Sequence, residues 1–176
     1  SLIQSTYYGF GSGHVPGNVG FTMQNRGTLF AMDDKHHNRL EPFKRPFHTI
    51  IPAMVTKDGK PVLSFGVMGG DMQPQGHAQV LVNMIDHGMN VQEATDAARV
   101  RHDGSDTPTG DVMTDGGRLI VESGVSEKVV AELKKRGHNV SRGGAGGGYQ
   151  AIRIDHETGL LHGGSEARKD GAAIGY

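Results

Sequence analysis

Phe65-Gly66-Val67-Met68-Gly69-Gly70 ends an apolar run in two adjacent glycines, and a helical pattern starts a few residues later. The run covers residues 61–68. Another apolar run, residues 49–56, precedes it, and Lys57-Asp58-Gly59-Lys60 joins the two. An Asp-Gly pair between such runs predicts a β-hairpin. At the far end, paired glycines let successive backbone N–H groups point into one concavity, because no Cβ obstructs them. That geometry can hold a developing oxyanion. The same pair also suits a plain tight turn, and the spacing by itself leaves both readings open.

Downstream, Ala78, Leu81, Val82 and Ile85 fall at i, i+3, i+4 and i+7 and predict a helix over residues 74–87 with these four as its apolar stripe. Pro74 suits its first turn and Gly88 its stop. Asn90 and Glu93 have the spacing of a capping box, with Val91, Ala94 and Ala98 on one face of a second helix. Residues 102–110 read as a loop and 119–122 as a short strand. Ser126 caps a third helix, with Val125 and Val130 placed as a hydrophobic staple and Gly137 as the stop. The glycine tract 143–148 reads as a flexible or close-packed loop. Residues 149–155 and Leu160-Leu161 predict strands around a final turn. Upstream, residues 1–8 and 19–24 read as strands and 33–39 as an exposed polar loop. The mixture is α+β, without a regular βαβ repeat.

The length of 176 residues suits one domain. The chain is 35% hydrophobic and 21% charged, with 28 glycines. Without glycine that share is low, but the 28 glycines lift it to the ordinary total of about 45–50% for a domain, so much of the chain is expected to be turn and loop. No apolar run approaches the ~20 residues of a membrane span, so no membrane segment is expected. A net charge of -1 with interleaved acids and bases argues against nucleic acid as a partner. The absence of cysteine removes disulfides, thiolate ligands and cysteine nucleophiles. It leaves the compartment open between cytoplasmic and periplasmic or secreted. Ser1 follows neither a Met nor the basic and apolar regions of a signal peptide, and it reads as the inside of a strand, as expected of a processed chain or of one lacking its first residues.

Other motifs fail on inspection. Gly9-Phe10-Gly11-Ser12-Gly13-His14 puts His14 where a dinucleotide fingerprint takes its last glycine, and no Lys-Ser/Thr follows tract 143–148. Gly11-Ser12-Gly13 is too short for a nucleophile elbow. There are ten histidines but no His-Glu-x-x-His; His36 and His37 are neighbours, and His77 and His87 are not at i, i+4. No metal and no cofactor are expected. His48 and Thr49 follow Arg45-Pro46-Phe47 at the mouth of an apolar strand. They suit ligand contact and ordinary strand-end hydrogen bonding equally.

Phe10-Gly11-Ser12-Gly13 and Arg45-Pro46-Phe47-His48-Thr49-Ile50-Ile51-Pro52 resemble the small subunit of γ-glutamyltranspeptidases. So do Gly66-Val67-Met68-Gly69-Gly70, Val82-Asn83-Met84-Ile85-Asp86-His87-Gly88-Met89-Asn90-Val91-Gln92-Glu93-Ala94, and the ending Arg168-Lys169-Asp170-Gly171 through Gly175-Tyr176. The resemblance runs in order over essentially the whole chain. It implies an N-terminal-nucleophile hydrolase with an αββα four-layer sandwich, residues 1–176 being the small-subunit part of one domain. A large subunit of the same precursor would complete it after autoproteolytic cleavage. The resemblance further implies a new N-terminal Thr as nucleophile, with its own α-amino group as base. That Thr attacks the γ-amide of a glutathione-like small molecule, and water or an amine resolves the acyl-enzyme. The family's oxyanion-binding Gly-Gly pair matches Gly69 and Gly70.

The chain departs from the family at three places. Ser1 aligns about one hairpin downstream of the family's Thr, so the nucleophile is expected upstream of this chain and Ser1 is not assigned to catalysis. His48 and Thr49 stand where the family has a Ser-Ser pair gripping the substrate α-carboxylate. Leu29 stands where it has an Asp for the α-amino group, and Arg26 replaces a nearby Gln. Arg26, His48 and Thr49 are the expected substrate contacts. Leu29 cannot supply a salt bridge to an ammonium group. An acylase of the same fold, acting on glutaryl or cephalosporin-type amides, is therefore the alternative reading. A catalytically silent lobe that only binds the large subunit is the other.

Overall fold

Asp58 and Gly59 turn the chain with φ of 51° and 75°. Positive φ at both central residues of a two-residue loop matches the right-handed twist of paired strands. The turn joins β1 (Ala53–Lys57) to β2 (Lys60–Met68), the expected hairpin, with β1 starting later than the apolar run suggested. β2 leads through Gly69 and Gly70 into α1 (Met72–Ile85), followed by α2 (Val91–Asp96). Then come β3 (Val100–Asp103), β4 (Arg118–Val121), α3 (Glu127–Lys135) and β5 (Val140–Arg142). β6 (Gly148–Ile154) and β7 (Leu161–Ser165) end the order. This computed structural model describes residues 1–175; Tyr176, the last residue of the C-terminal motif, lies outside them.

The described residues fall into two units. The first comprises residues 1–3, 51–103 and those from 116 onward; the second comprises 4–50 and 104–115. The first holds an antiparallel sheet in the order β1-β2-β6-β7 and a smaller sheet β3-β4-β5, in which β4 and β5 run parallel. Leu63, Phe65 and Val67 of β2 and Tyr149 and Ala151 of β6 share one face of the larger sheet. They pack with Val80, Val91 and Ala94 of the two helices. Asn90 accepts the Gln92 and Glu93 N–H groups while Glu93 accepts that of Asn90, so the capping box forms as spaced. Ser126 accepts the Val129 N–H and caps α3.

α1 starts two residues before the expected boundary, and its buried side is not the expected stripe. Met72, Gln73, Gly76 and Val80 are buried, whereas Val82 and Ile85 are exposed. Gly76 decides this. A Cβ there would stand 2.7 Å from Val67 Cγ1, so the bare glycine side alone approaches the sheet. β3 and β5 have no clear sequence period; they form because β4 offers both an edge.

The second unit holds one short 3-10 helix, Arg26–Leu29, and otherwise loops, including the expected polar segment 33–39. The strands expected at 1–8 and 19–24 are not formed. An apolar run becomes a strand only when another backbone pairs along it. Here Ser12 donates to Met23 O and Met23 to His14 O, two isolated bonds at 2.9 Å in place of a ladder. No helix among the described residues is long and apolar enough to cross a membrane.

Candidate active site

Gly69 and Gly70 lie where β2 gives way to α1, with φ of 130° and 60°, a backbone open to glycine at little cost. The Gly69 carbonyl accepts the Met72 N–H at 3.2 Å, and the Gly70 carbonyl accepts the Gln73 N–H at 3.0 Å. Gln73 Nε2 adds a bond to the same Gly70 carbonyl at 3.1 Å. Both carbonyls are thereby committed to the first turn of α1. In a trans peptide the N–H points opposite to the C=O. The Gly70 N–H is therefore directed away from the helix. Among the described residues, neither glycine N–H donates a hydrogen bond. Two unpartnered donors at the start of a helix, where the helix dipole is positive, suit an anion.

The glycine tract resolves as close-packed. A Cβ on Gly69 would stand 2.9 Å from Gly147 Cα, so the two backbones touch. Ala145 and Tyr149 are fully buried on either side of that contact. Burial pushes the Tyr149 hydroxyl well above its usual range. On the other side of β2, His77 Nε2 accepts the Val67 N–H at 3.1 Å, and burial lowers the pKa of the ring. That acceptor role requires neutral imidazole.

In the second unit the structure brings Arg26 and Thr49 together. Arg26 is buried; its Nε donates to Thr49 Oγ1 at 2.7 Å and its Nη1 to Ser5 O at 3.0 Å. Its guanidinium lies 5.6 Å from the Tyr7 ring centroid, a cation–π distance. Nη2 is buried with no hydrogen-bond partner among the described residues. Thr49 is half-buried. His48 is exposed and stacks on Phe47 with 5.8 Å between centroids. Leu29 ends the 3-10 helix, and its carbonyl accepts from Asn38 Nδ2 at 2.7 Å. Ser1 Oγ donates to Phe65 O at 3.3 Å.

Sequence reasoning missed the residues that back the glycine pair. Arg99, 1% exposed, has its guanidinium against Gly147 and pairs with the buried Glu166. Arg168 pairs with Glu122 and Glu166. Burial alone pushes the Glu122 carboxyl up, but hydrogen bonds from Arg168 and the Arg99 and Ala145 N–H groups outweigh it and hold the group below its usual value. Arginine is rarely buried, and nothing in Ala97-Ala98-Arg99 marks this one as an exception. The signals were the glycine tract, whose bare backbone allows the approach, and the family-like ending that contains Arg168.

The gamma-glutamyltranspeptidase family model matches residues 1–176. A glutathione hydrolase-like YwrD proenzyme from Bacillus subtilis is 41% identical over 99% of this chain and 33% of its own length. An oxamate amidohydrolase proenzyme from Klebsiella pneumoniae is 35% identical over 100% of the chain and 33% of its own length. The chain thus spans about a third of the length of these curated relatives. Among solved structures, a cephalosporin acylase from Bacillus halodurans superposes with a TM-score of 0.83 at 44% identity, over 99% of this chain and 32% of that one. A γ-glutamyltranspeptidase from Pseudomonas nitroreducens complexed with L-DON gives 0.80 at 26% identity, over 99% and 92%. The α+β arrangement is that of the small-subunit portion of the N-terminal-nucleophile hydrolase fold. From its first residue to its last, the chain belongs to the γ-glutamyltranspeptidase family.

Proposed function

We propose that the chain is the small-subunit part of an amide hydrolase or transferase. It passes a γ-glutamyl or related acyl group to water or an amine through a Thr acyl-enzyme, the Thr being supplied from outside residues 1–176. The observation that carries this reading is the pair of unpartnered N–H groups at Gly69 and Gly70, in a chain that matches the family throughout. The two amides are the donors to the oxyanion formed when the carbonyl is attacked. Arg26, His48 and Thr49 contact the acyl group, with Thr49 already oriented by Arg26.

Leu29 favours the acylase variant of this chemistry. A site with an apolar residue in place of an acid loses its grip on an α-ammonium group. Two relatives are named for amides outside the γ-glutamyl class, oxamate and cephalosporin. The domain is completed by a large subunit of the same precursor. The uncovered face of the larger sheet supports this, because Met54, Met68 and Ile152 are each about half exposed there. Relatives described as proenzymes and about three times as long support it too. Expressed alone, residues 1–176 should aggregate, whereas co-expression with the preceding half should yield a tight complex. A soluble isolated chain with a cooperative thermal transition would count against the partnership.

The test of the activity is release of nitroaniline from γ-glutamyl and glutaryl p-nitroanilides by the full-length gene product, with mass spectrometry of the small subunit. The expected result is a burst, followed by steady turnover and an acyl adduct on an N-terminal Thr. Processed protein that shows neither turnover nor adduct with any acyl anilide would leave the silent lobe.

A further inference from the structure

Behind Gly69 lies a buried ion-pair network that the proposed reaction does not itself use. Arg99 and Glu166 are 1% and 2% exposed and paired to each other. Arg168 reaches Glu166 at 3.2 Å and also pairs with Glu122. Two arginines face two glutamates, yet Arg99 Nε and Glu166 Oε1 find no hydrogen-bond partner among the described residues. Burying charges that are incompletely satisfied is costly, and apolar residues of similar volume often hold a fold as well. Their position is therefore informative.

The Arg99 guanidinium lies directly against Gly147. A Cβ on Gly147 would stand 3.1 Å from Nη1, and Nη1 donates to Gly146 O at 3.4 Å. Arg101 Nη1 holds the preceding carbonyl, Ala145 O, at 3.1 Å. Glu122 secures the tract with the same carboxylate that pairs with Arg168, accepting the Ala145 N–H on Oε1 at 3.3 Å and the Arg99 N–H on Oε2 at 2.9 Å. On its opposite side, Gly147 touches Gly69. The contacts therefore run without a gap from Glu166 through Arg99 and Gly147 to the first glycine of the pair.

We propose that Arg99, oriented by Glu166, is a positioning residue that braces Gly147 against Gly69 and so fixes the direction of the Gly69 and Gly70 N–H groups. A planar, forked guanidinium can pair with Glu166, reach Gly146 O and abut Gly147 together. A lysine ammonium is a compact point charge and cannot do all three. The inference rests on the oxyanion reading of the glycine pair.

The test uses the full-length, processed enzyme, a glutaryl or γ-glutamyl anilide, and burst titration to count competent sites. Arg99→Lys and Glu166→Gln should lower kcat per competent site by roughly 10- to 100-fold, a part of the ~10²–10³ lost with a whole oxyanion donor. KM should stay within about threefold, because substrate binding is untouched. Gly147→Ala places a Cβ 3.1 Å from both Arg99 Nη1 and Val67 Cγ1 and strains a φ of 88°, and it should lower kcat similarly. The Arg99→Lys/Gly147→Ala double variant should then lose less than the product of the two single losses, since both disturb the Arg99–Gly147 contact. Losses that multiply in the double variant would overturn the proposal. So would variants whose melting temperature falls while kcat per site holds. Wild-type enzyme without burst or turnover would instead remove the oxyanion reading beneath it. Should Arg99→Lys give too few competent sites, Glu166→Gln and Gly147→Ala carry the same comparison.

Discussion

The corner around Gly69 and the loops around Arg26 are held by opposite means. At Gly69 the backbone is fixed by packing. Gly76 admits α1 against Val67, Gly147 admits the tract against Gly69, and a buried core lies beneath. Around Arg26 few apolar side chains are buried. Phe30 and Ala31 are, while Tyr8, Phe10, Phe21 and Phe43 are exposed. Side-chain to backbone bonds do the holding instead. Asn25 accepts the Tyr8 N–H at 3.0 Å and donates to the Tyr8 and Gly11 carbonyls at 3.1 and 3.0 Å. Packing at Gly69, Gly76 and Gly147 leaves little room for an added Cβ, whereas a hydrogen-bonded loop can be retuned one contact at a time. Under the proposed function, the oxyanion donors belong to the stiff region and the expected acyl contacts to the adjustable one.

The largest expected effect lies in the stiff region. Gly70→Pro removes one donor and forces φ to about −65°, far from the 60° observed. It should cost ~10²–10³ in kcat. Gly70→Ala keeps the N–H and meets nothing within 4 Å, so its penalty is only the strain of a positive φ and a loss of under about tenfold. Equal losses in the two variants, measured as kcat on properly folded protein, would reduce the pair to a turn.

A smaller effect is expected from the adjustable region. With Leu29 in place of an acid, glutaryl amides should react about as well as γ-glutamyl amides. A charge-assisted contact is worth ~1.5–3 kcal/mol, so its loss flattens the preference by roughly ten- to a hundredfold. The measurement is kcat/KM for paired anilides. An amine preference above roughly a thousandfold would mean that another acid has taken over the role.

Asn25→Ala should loosen the second unit without disturbing the sheet. Loss of its three bonds should cost about 1–2 kcal/mol locally. Limited proteolysis should then cut within residues 4–50 faster, while β2 and β6 amides keep their exchange protection. Equal loosening of both would erase the contrast between the regions.

The smallest effect is a pH dependence of the stiff region. His77 must be neutral to accept the Val67 N–H, and burial lowers its pKa below the ordinary 6.5. A histidine whose folded pKa is depressed contributes fully above its unfolded value, and the contribution is lost as pH falls through the folded value. Thermal stability should therefore decline modestly on acidification below about 6.5, and His77→Gln should blunt that decline. An unchanged slope in the variant would show that the ring does not carry it.

The sequence by itself determined whatever is settled within three or four residues. The Asp58-Gly59 turn, the Asn90–Glu93 capping box and the Ser126 cap all formed as read, because each partner lies within one turn of the other. The glycine pair was legible as a break between strand and helix, although its contact with Gly147 was not. Contacts that cross the chain were decided by tertiary structure. Which side of α1 is buried depended on a gap at Gly76 facing Val67, and of the expected apolar stripe only Leu81 packs against the core. The apolar run at the N-terminus stayed unpaired, because a strand needs a second backbone and periodicity cannot supply one. Arg26 meets Thr49 across 23 positions, and Arg99 meets Glu166 from a different strand end. Charges are buried only where distant segments converge to compensate them, and no local pattern encodes that convergence.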